Sequence, residues 1–323
     1  MTSARTLLVH AGGSKTGTTS LQNFFDLHVD WLEAAGITYH NRVGVRSPFS
    51  PTSGNGWPLL DLMTAPEGRE AELDTLLDAY TGSHPRGLVS TERFERVTAK
   101  GWSALVSRAN AAGIRLHLLY YVRDPIPYFL SRYDQAIKRH GETRDFLPWF
   151  EDEPWWHLDF LRCLEPLRSE IELTLLHYST RASDTVANVA RLLDLPFAPQ
   201  EGKRTYDANR SLTERERRVL KYLNAAYGPK AAISLSTFLL EHHPGLPSEK
   251  LRDPALDQAI QGRYRDACDW INARYFDGQP VLSARPESEV ASPPRTCVDD
   301  EIFDRILVDW AQHCMAGGTS SAR

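Results

Sequence analysis

The tightest constraint on the fold lies near the start of the chain, in the stretch from Thr6 to Gly36. TLLVHAG (Thr6 to Gly12) is a short apolar run closed by glycines, as a parallel strand buried on both faces requires. From Thr18 onward Leu21, Phe24, Phe25 and Leu32 recur at helical spacing until Gly36, a residue type that ends helices in the left-handed conformation. GGSKTGTT stands between the two segments. A strand that turns through glycines straight into a helix aims backbone N–H groups and the positive end of the helix dipole at one point. That unit belongs in a sheet covered by helices, which commits the chain to an α/β fold.

The remaining elements follow the same alternation. GLVS, ending at Ser90, reads as a strand, as do IRLHLLYYV and IELTLLHY, with a helix from Trp102 to Ala112 closed by Gly113 and another in ASDTVANVARLLDL. Asp124-Pro125 reads as an N-cap with proline at the first helical position, opening a helix that stops at Gly141. The acidic stretch Pro66 to Tyr80 is a further helix, and the turn-rich SPFSPTSGNGWP (Ser47 to Pro58) a surface loop. The pattern predicts a P-loop-like three-layer sandwich with a central parallel sheet flanked by helices. From Ser211, where Ser211-x-x-Glu214 has the spacing of a capping box, the chain is mostly helical, with a Pro/Ser-rich linker from Gly278 to Arg295. The 323 residues read as a single domain, a core over about 6–200 and a helical cap with C-terminal extension over about 201–323.

Composition removes several function classes. A net charge of −5 argues against a dedicated nucleic-acid binder. No apolar run approaches the roughly 20 residues that span a bilayer. The four cysteines, Cys163, Cys268, Cys297 and Cys314, lie far apart with no C-x-x-C, which suggests neither zinc nor a disulfide framework. The apolar start runs directly into the glycine-rich motif and leaves no room for a signal peptide, so a cytoplasmic location is expected.

The glycine-rich loop departs from the nucleotide-hydrolysing pattern G-x-x-x-x-G-K-[ST], because Lys15 precedes Gly17 and Thr18-Thr19 follow it. Gly12, Gly13 and Gly17 permit close backbone approach, Lys15 supplies a cation, and Thr16, Thr18 and Thr19 supply hydroxyl donors. A second constellation is YYVRDPIPYFLSRYDQAIK, Tyr120 to Lys138. Arg123 ends the strongest strand, and Ser131 follows roughly 9 Å along the next helix at 1.5 Å per residue. Read from the residues alone, this is either a second anion site or a capped helix start.

Taken together, K-T-G-T-T and, about a hundred residues later, R-D-P-x-x-x-x-x-S-x-Y resemble the sulfotransferases that use 3′-phosphoadenosine 5′-phosphosulfate (PAPS). KTGTTSLQ and AGITYH point to the bacterial carbohydrate-type branch. The resemblance covers about residues 6–195, and beyond residue 200 it rests on NRSLTERERRVLKYLN. It implies that Lys15 binds the 5′-phosphate and the bridging oxygen, that Thr16, Gly17, Thr18 and Thr19 cradle the same phosphate, and that Arg123 and Ser131 hold the 3′-phosphate. Tyr178 would lie near the adenine, although the acidic residue usual after it is Ser179 here. No metal is implied.

The base belongs at the tip of the strand between the two motifs, where cytosolic members carry a histidine and glycan-modifying members a glutamate. This chain offers LVSTERF, which makes Glu92 the candidate, with His84, His40 and His10 in reserve. Glu92 could instead open a helix or pair with Arg93 or Arg96. Trp149, Trp155 and Trp156 read as core or as a platform for a sugar ring, and RERR (Arg215 to Arg218) as a solvated helix face. The implied partners are PAPS and an acceptor with a hydroxyl, less readily an amine, on a carbohydrate, glycoconjugate or small metabolite. The rival readings are a P-loop kinase of a small molecule and a nucleotide-binding relative without catalysis.

Overall fold

The computed structural model describes residues 5–40, 54–178, 182–195, 211–243, 246, 251, 253–285 and 300–318. The turn-rich stretch up to residue 53, Ser179, Cys297 and the latter part of the Pro/Ser-rich linker lie outside the described residues. The chain forms two compact units: Met1–Asp124, Pro154–Tyr206 and Arg265–Ser283 make the first, and Pro125–Glu153, Asp207–Tyr264 and Ala284–Arg323 the second.

The first unit holds a five-stranded parallel sheet flanked by helices, an α/β architecture. Its strands are β1 (Arg5–His10), β2 (Ile37–Thr38), β3 (Arg86–Ser90), β4 (Ile114–Val122) and β5 (Glu172–His177), in the order β2-β3-β1-β4-β5. The register sets Val9 opposite Val89 on one side and Leu118 on the other. In chain order the helices of this unit begin with α1 (Thr18–Leu27), α2 (Val29–Ala34), α3 (Trp57–Thr64), α4 (Glu70–Thr81) and α5 (Ala99–Ala111). Then α6 (Pro125–Arg139) and α7 (Phe146–Asp152) belong to the second unit, while α8 (Trp156–Leu164) and α9 (Ala182–Leu192) return to the first. Helices α10 (Glu214–Tyr227), α11 (Pro229–His242) and α13 (Asp300–Gly318) lie in the second unit, and α12 (Pro254–Tyr275) runs through both.

Alternation along the strands covers the sheet on both faces. Leu8, Leu88, Leu119 and Tyr121 share one cluster with Leu21 and Phe25 of α1, Leu32 of α2 and Val189 of α9. Tyr120 points the other way, its ring 4.3 Å from that of Phe160 on α8, which meets Trp102 of α5 at 5.8 Å. Each such large side chain taken out of water contributes about 1.5–3 kcal/mol.

Three local features depart from the sequence reading. The helix expected from Thr18 to Gly36 breaks at His28, whose Nδ1 donates to the Phe24 carbonyl 2.7 Å away and competes for a helical acceptor. Trp57 and Pro58, read as loop, open α3, with proline in the first turn where its missing N–H costs nothing. Beyond the two residues of β2, the edge of β3 is completed by a side chain. Asn55 Nδ2 donates to Leu88 O at 3.0 Å, its Oδ1 accepts from Ser90 N at 2.8 Å, and Gly56 N reaches Ser90 O at 3.0 Å. An amide at the tip of a turn thereby does what a neighbouring strand would do.

The second unit is built on aromatic packing: Phe129 and Tyr264 stack at 5.1 Å, and Tyr133 meets Phe146 and Trp149 at 5.2 Å each. S/T-x-x-E occurs twice in SLTERE, and the pair that closes is Thr213 and Glu216. Glu216 N donates to Thr213 Oγ1 at 3.2 Å and Thr213 N to Glu216 Oε2 at 2.7 Å. Leu212 N is held by Asp134 Oδ2 at 2.9 Å, and Arg217 Nε donates to Asp134 Oδ1 at 2.7 Å. Starting the helix after Thr213 brings Arg217 to that carboxylate. RERR is therefore only partly a solvated face, since Arg217 is 6% exposed. Among the described residues, no helix is long and apolar enough to cross a membrane.

Candidate functional site

In parallel sheets, ligands bind beyond the carboxyl ends of the strands where neighbouring strands send the chain in opposite directions. β1 and β4 are such neighbours: the chain leaves β1 toward β2 and β4 toward β5, on opposite edges of the sheet. The loop Gly12–Gly17 follows β1 and Arg123 follows β4. The glycine-rich motif thus stands at the crevice.

The loop is tied down before it turns. Ala11 N donates to Leu119 O at 3.0 Å and Tyr121 N to Gly12 O at 3.2 Å, which carries the β1–β4 ladder into it. Then φ is positive at Gly13 (82°), Lys15 (66°) and Gly17 (75°) and not at Ser14 or Thr16 between them. Alternation of this kind turns successive N–H groups toward one side and forms an anion-binding concavity. Lys15 carries the strain of a left-handed conformation that only glycine adopts freely, and such strain clusters at ligand sites. Gly17 is also the N-cap of α1, whose first turn has no side-chain cap and no acidic residue. No acidic residue of that turn offsets the positive end of the helix, and the carboxylate that approaches it comes from Glu92.

The glycines are required by what surrounds them. A Cβ at Gly13 would stand 1.9 Å from Tyr121 O, and one at Gly12 2.5 Å from Glu92 Cα. At Gly17 it would come 3.2 Å from the Tyr178 ring and 3.8 Å from Thr185 Oγ1. The loop is held close by Tyr121, Glu92 and Tyr178, so its backbone path is fixed. Main-chain N–H groups and a half-buried lysine at the loop make a donor set suited to an anion.

The predicted residues distribute as follows. Thr16 is fully buried and its hydroxyl donates to Gly13 O, so it braces the loop and offers only its main chain to a ligand. Thr18 Oγ1 donates to Glu92 Oε2 at 3.0 Å, which joins the candidate cradle to the candidate base. Thr19 is half-buried in the first turn of α1. Arg123 Nη1 donates to Lys15 O at 2.8 Å and its guanidinium lies over the Tyr178 ring at 5.2 Å. It therefore ties down the carbonyl of Lys15, while the Ser14 N–H is taken by Glu95. Ser131 lies half-buried on α6, in the second unit.

Glu92 pairs with neither Arg93 nor Arg96 among the described residues; it opens a short 3₁₀ turn, Glu92–Arg96, capped by Thr91, whose side chain accepts from Arg93 N. The sequence reading missed Glu95, one turn on. In a 3₁₀ helix residues three apart eclipse, so ERFERV presents Glu92 and Glu95 on one face, Arg93 and Arg96 on another, and Phe94 and Val97 to the core. Glu95 is 4% exposed, and its Oε2 accepts Ser14 N at 2.9 Å and faces Tyr120 Oη at 3.5 Å. Tyr120 Oη in turn meets His157 Nδ1 at 2.8 Å. Glu95 anchors the loop from below, and the E-x-x-E spacing was the available signal.

The histidines held in reserve are engaged elsewhere. His84 precedes β3 at the opposite end of the sheet and meets Thr38 Oγ1 at 3.2 Å, while His40 Nε2 donates to Ala79 O at 2.8 Å. His10 is fully buried beside Ser90 Oγ, 2.8 Å from Nδ1, and burial pulls it down to about 3, so it stays neutral and supports the strand end. Burial likewise pushes Cys163 up, and pushes Cys268 up to about 12, which withholds both thiols from nucleophilic chemistry. Trp149 and Trp155 are core side chains, and Trp156 is half-buried under Arg96. Among the described residues, no group of three or more His, Cys, Asp or Glu side chains could hold a metal ion.

Comparison of the chain with protein-family models, with curated proteins and with solved structures finds no match in any of the three.

Proposed function

We propose that the protein is a sulfotransferase with a P-loop-like nucleotide site, passing the sulfuryl group of PAPS to a hydroxyl of an acceptor. The observation that carries this reading is the loop of alternating φ at 13, 15 and 17, opening an uncapped helix with Lys15 at its turn and Glu92 against its first threonine.

The bound donor supplies an activated sulfuryl group on a phosphate leaving group. Lys15 and the loop N–H groups hold that phosphate and offset the charge that develops on the bridging oxygen, the term that dominates when preorganised donors meet a transition state. Thr18 gives its hydroxyl proton to Glu92 and has only its main-chain N–H left for the cradle. Glu92 takes the proton of the acceptor hydroxyl as the new S–O bond forms and the bridging S–O bond breaks. Arg123 holds the Lys15 carbonyl and binds the 3′-phosphate, while Tyr178 backs the guanidinium. Ser131 enters this reading through the R-D-P-x-x-x-x-x-S motif alone.

The test is release of adenosine 3′,5′-bisphosphate from labelled PAPS without magnesium, with and without a panel of sugar hydroxyls. Release above the buffer rate, raised by acceptor, is the expected result; none in either condition would contradict transfer and leave a nucleotide-binding relative. A second reading rests on Glu92 and Glu95, two carboxylates against the loop. It is a kinase in which Glu92 would hold magnesium for phosphoryl transfer with Glu95 bracing the loop beneath it, and magnesium-dependent release of ADP from ATP in the same assay would favour it.

A further inference from the structure

We propose that Arg93 and Arg96 form an anion subsite beside Glu92, and that the acceptor therefore carries a carboxylate or sulfate of its own. This rests on the sulfotransferase reading for the word acceptor; the subsite itself rests on the geometry of one 3₁₀ turn.

The two arginines are one helical repeat apart on a turn where such residues eclipse, so they share a face, and both are exposed. Their neighbours in sequence would be natural partners, yet both carboxylates turn the other way: Glu92 takes the Thr18 hydroxyl and Glu95 the Ser14 N–H. Among the described residues neither guanidinium meets a carboxylate. Other arginines do: Arg69 meets Asp61 and Glu72, Arg108 meets Asp74, and Arg144 meets Glu142 and Asp152.

Arg93 and Arg96 are instead each stacked on a tryptophan. The Arg93 guanidinium lies 5.0 Å from the centre of the Trp57 ring, and that of Arg96 5.1 Å from the centre of Trp156. A guanidinium lying over an aromatic ring gives that ring one side and keeps N–H donors for a carboxylate or sulfate. The contact also fixes a side chain that otherwise loses rotamer entropy on binding. Trp57 comes from α3 and Trp156 from α8, so two separate elements converge on the turn that bears the candidate base. From Glu92 to Arg96 the turn rises roughly 8 Å at about 2 Å per residue. An oligosaccharide long enough to pass from the arginine face of the turn to its carboxylate face would carry an anionic group to the arginines and a hydroxyl to Glu92.

The test is calorimetric, on the full chain, with three tetrasaccharides as probes: one bearing carboxylates only, one bearing carboxylates and sulfates, and one neutral. Adenosine 3′,5′-bisphosphate is titrated separately. Both charged probes are expected to bind at least about tenfold more tightly than the neutral one, with an affinity that falls as salt rises. An Arg93→Gln/Arg96→Gln variant should lose that preference, while its affinity for the bisphosphate changes by less than about twofold, as for sites without shared partners. Tighter binding of the sulfated probe identifies sulfate as the group read; parity between the charged probes identifies carboxylate. Equal binding of charged and neutral probes, no binding of either charged probe, or an unaffected double variant would overturn the subsite. Arginine-dependent binding of the charged probes without any bisphosphate binding would overturn the sulfotransferase reading alone.

Discussion

Replacing Lys15 by alanine is expected to lower turnover of the proposed PAPS-dependent reaction by about 10²–10³-fold, the cost of removing one preorganised donor from a developing negative charge. Glu92→Gln costs less. General bases contribute about 10²–10⁴-fold, but the lower end applies where the transition state is loose and the acceptor proton is lost late. In the proposed reaction Lys15 acts on the leaving oxygen, where charge accumulates earliest, from a turn held at φ 66°. Glu92 also holds Thr18, 3.0 Å away, a contact glutamine retains through its amide oxygen. Steady-state rates at saturating donor separate the two variants. Equal turnover in Lys15→Ala and the unmodified protein would remove the assignment.

The second large effect concerns stability. Asp134→Ala is expected to destabilise the second unit by about 3–5 kcal/mol, because it leaves the buried Arg217 charge without its partner. The two side chains are 6% and 7% exposed, and the same carboxylate also accepts Leu212 N at 2.9 Å. The loss therefore combines an orphaned cation with an orphaned main-chain donor at the start of α10. Urea denaturation of the full chain, read from the aromatic fluorescence of this unit, measures it. Recovery of most of the loss in Asp134→Ala/Arg217→Met would attribute it to the unpaired charge, since apolar replacement of a whole buried pair is often neutral. A single-variant loss below about 1 kcal/mol, the range of an exposed pair, would contradict the account.

What the sequence disclosed follows from how local each signal is. The strand Ile114–Val122 was legible to the residue because nine apolar-dominated positions stand between Gly113 and Arg123, and no other element competes for them. The parallel α/β sheet was legible from alternation alone. The capping box was misplaced by two residues because SLTERE satisfies the same spacing twice, and the choice is made by Asp134, 78 residues away from Leu212. The start of helix α3, Trp57 and Pro58, was read as loop because a neighbouring glycine-rich turn masks it. Within the candidate site, Lys15, Gly17, Thr18 and Glu92 were all nominated, and the structure sets them around one loop. Glu95 was missed because its partner, Ser14 N–H, is a main-chain group with no sequence signature. The tryptophan partners of Arg93 and Arg96 were hidden for a related reason: Trp57 and Trp156 lie 36 and 60 residues away from them, and only folding brings them together.

The central claim is that the crevice at the ends of β1 and β4 recognises a nucleotide by phosphates on both sides of its ribose. Calorimetric titration of the protein with adenosine 3′,5′-bisphosphate, and in parallel with AMP, ADP and ATP, all without magnesium, tests it most directly. The account predicts tight binding of the bisphosphate over the other three, weakened by Lys15→Ala and by Arg123→Ala. Preference for ATP, or indifference to the 3′-phosphate, would contradict it.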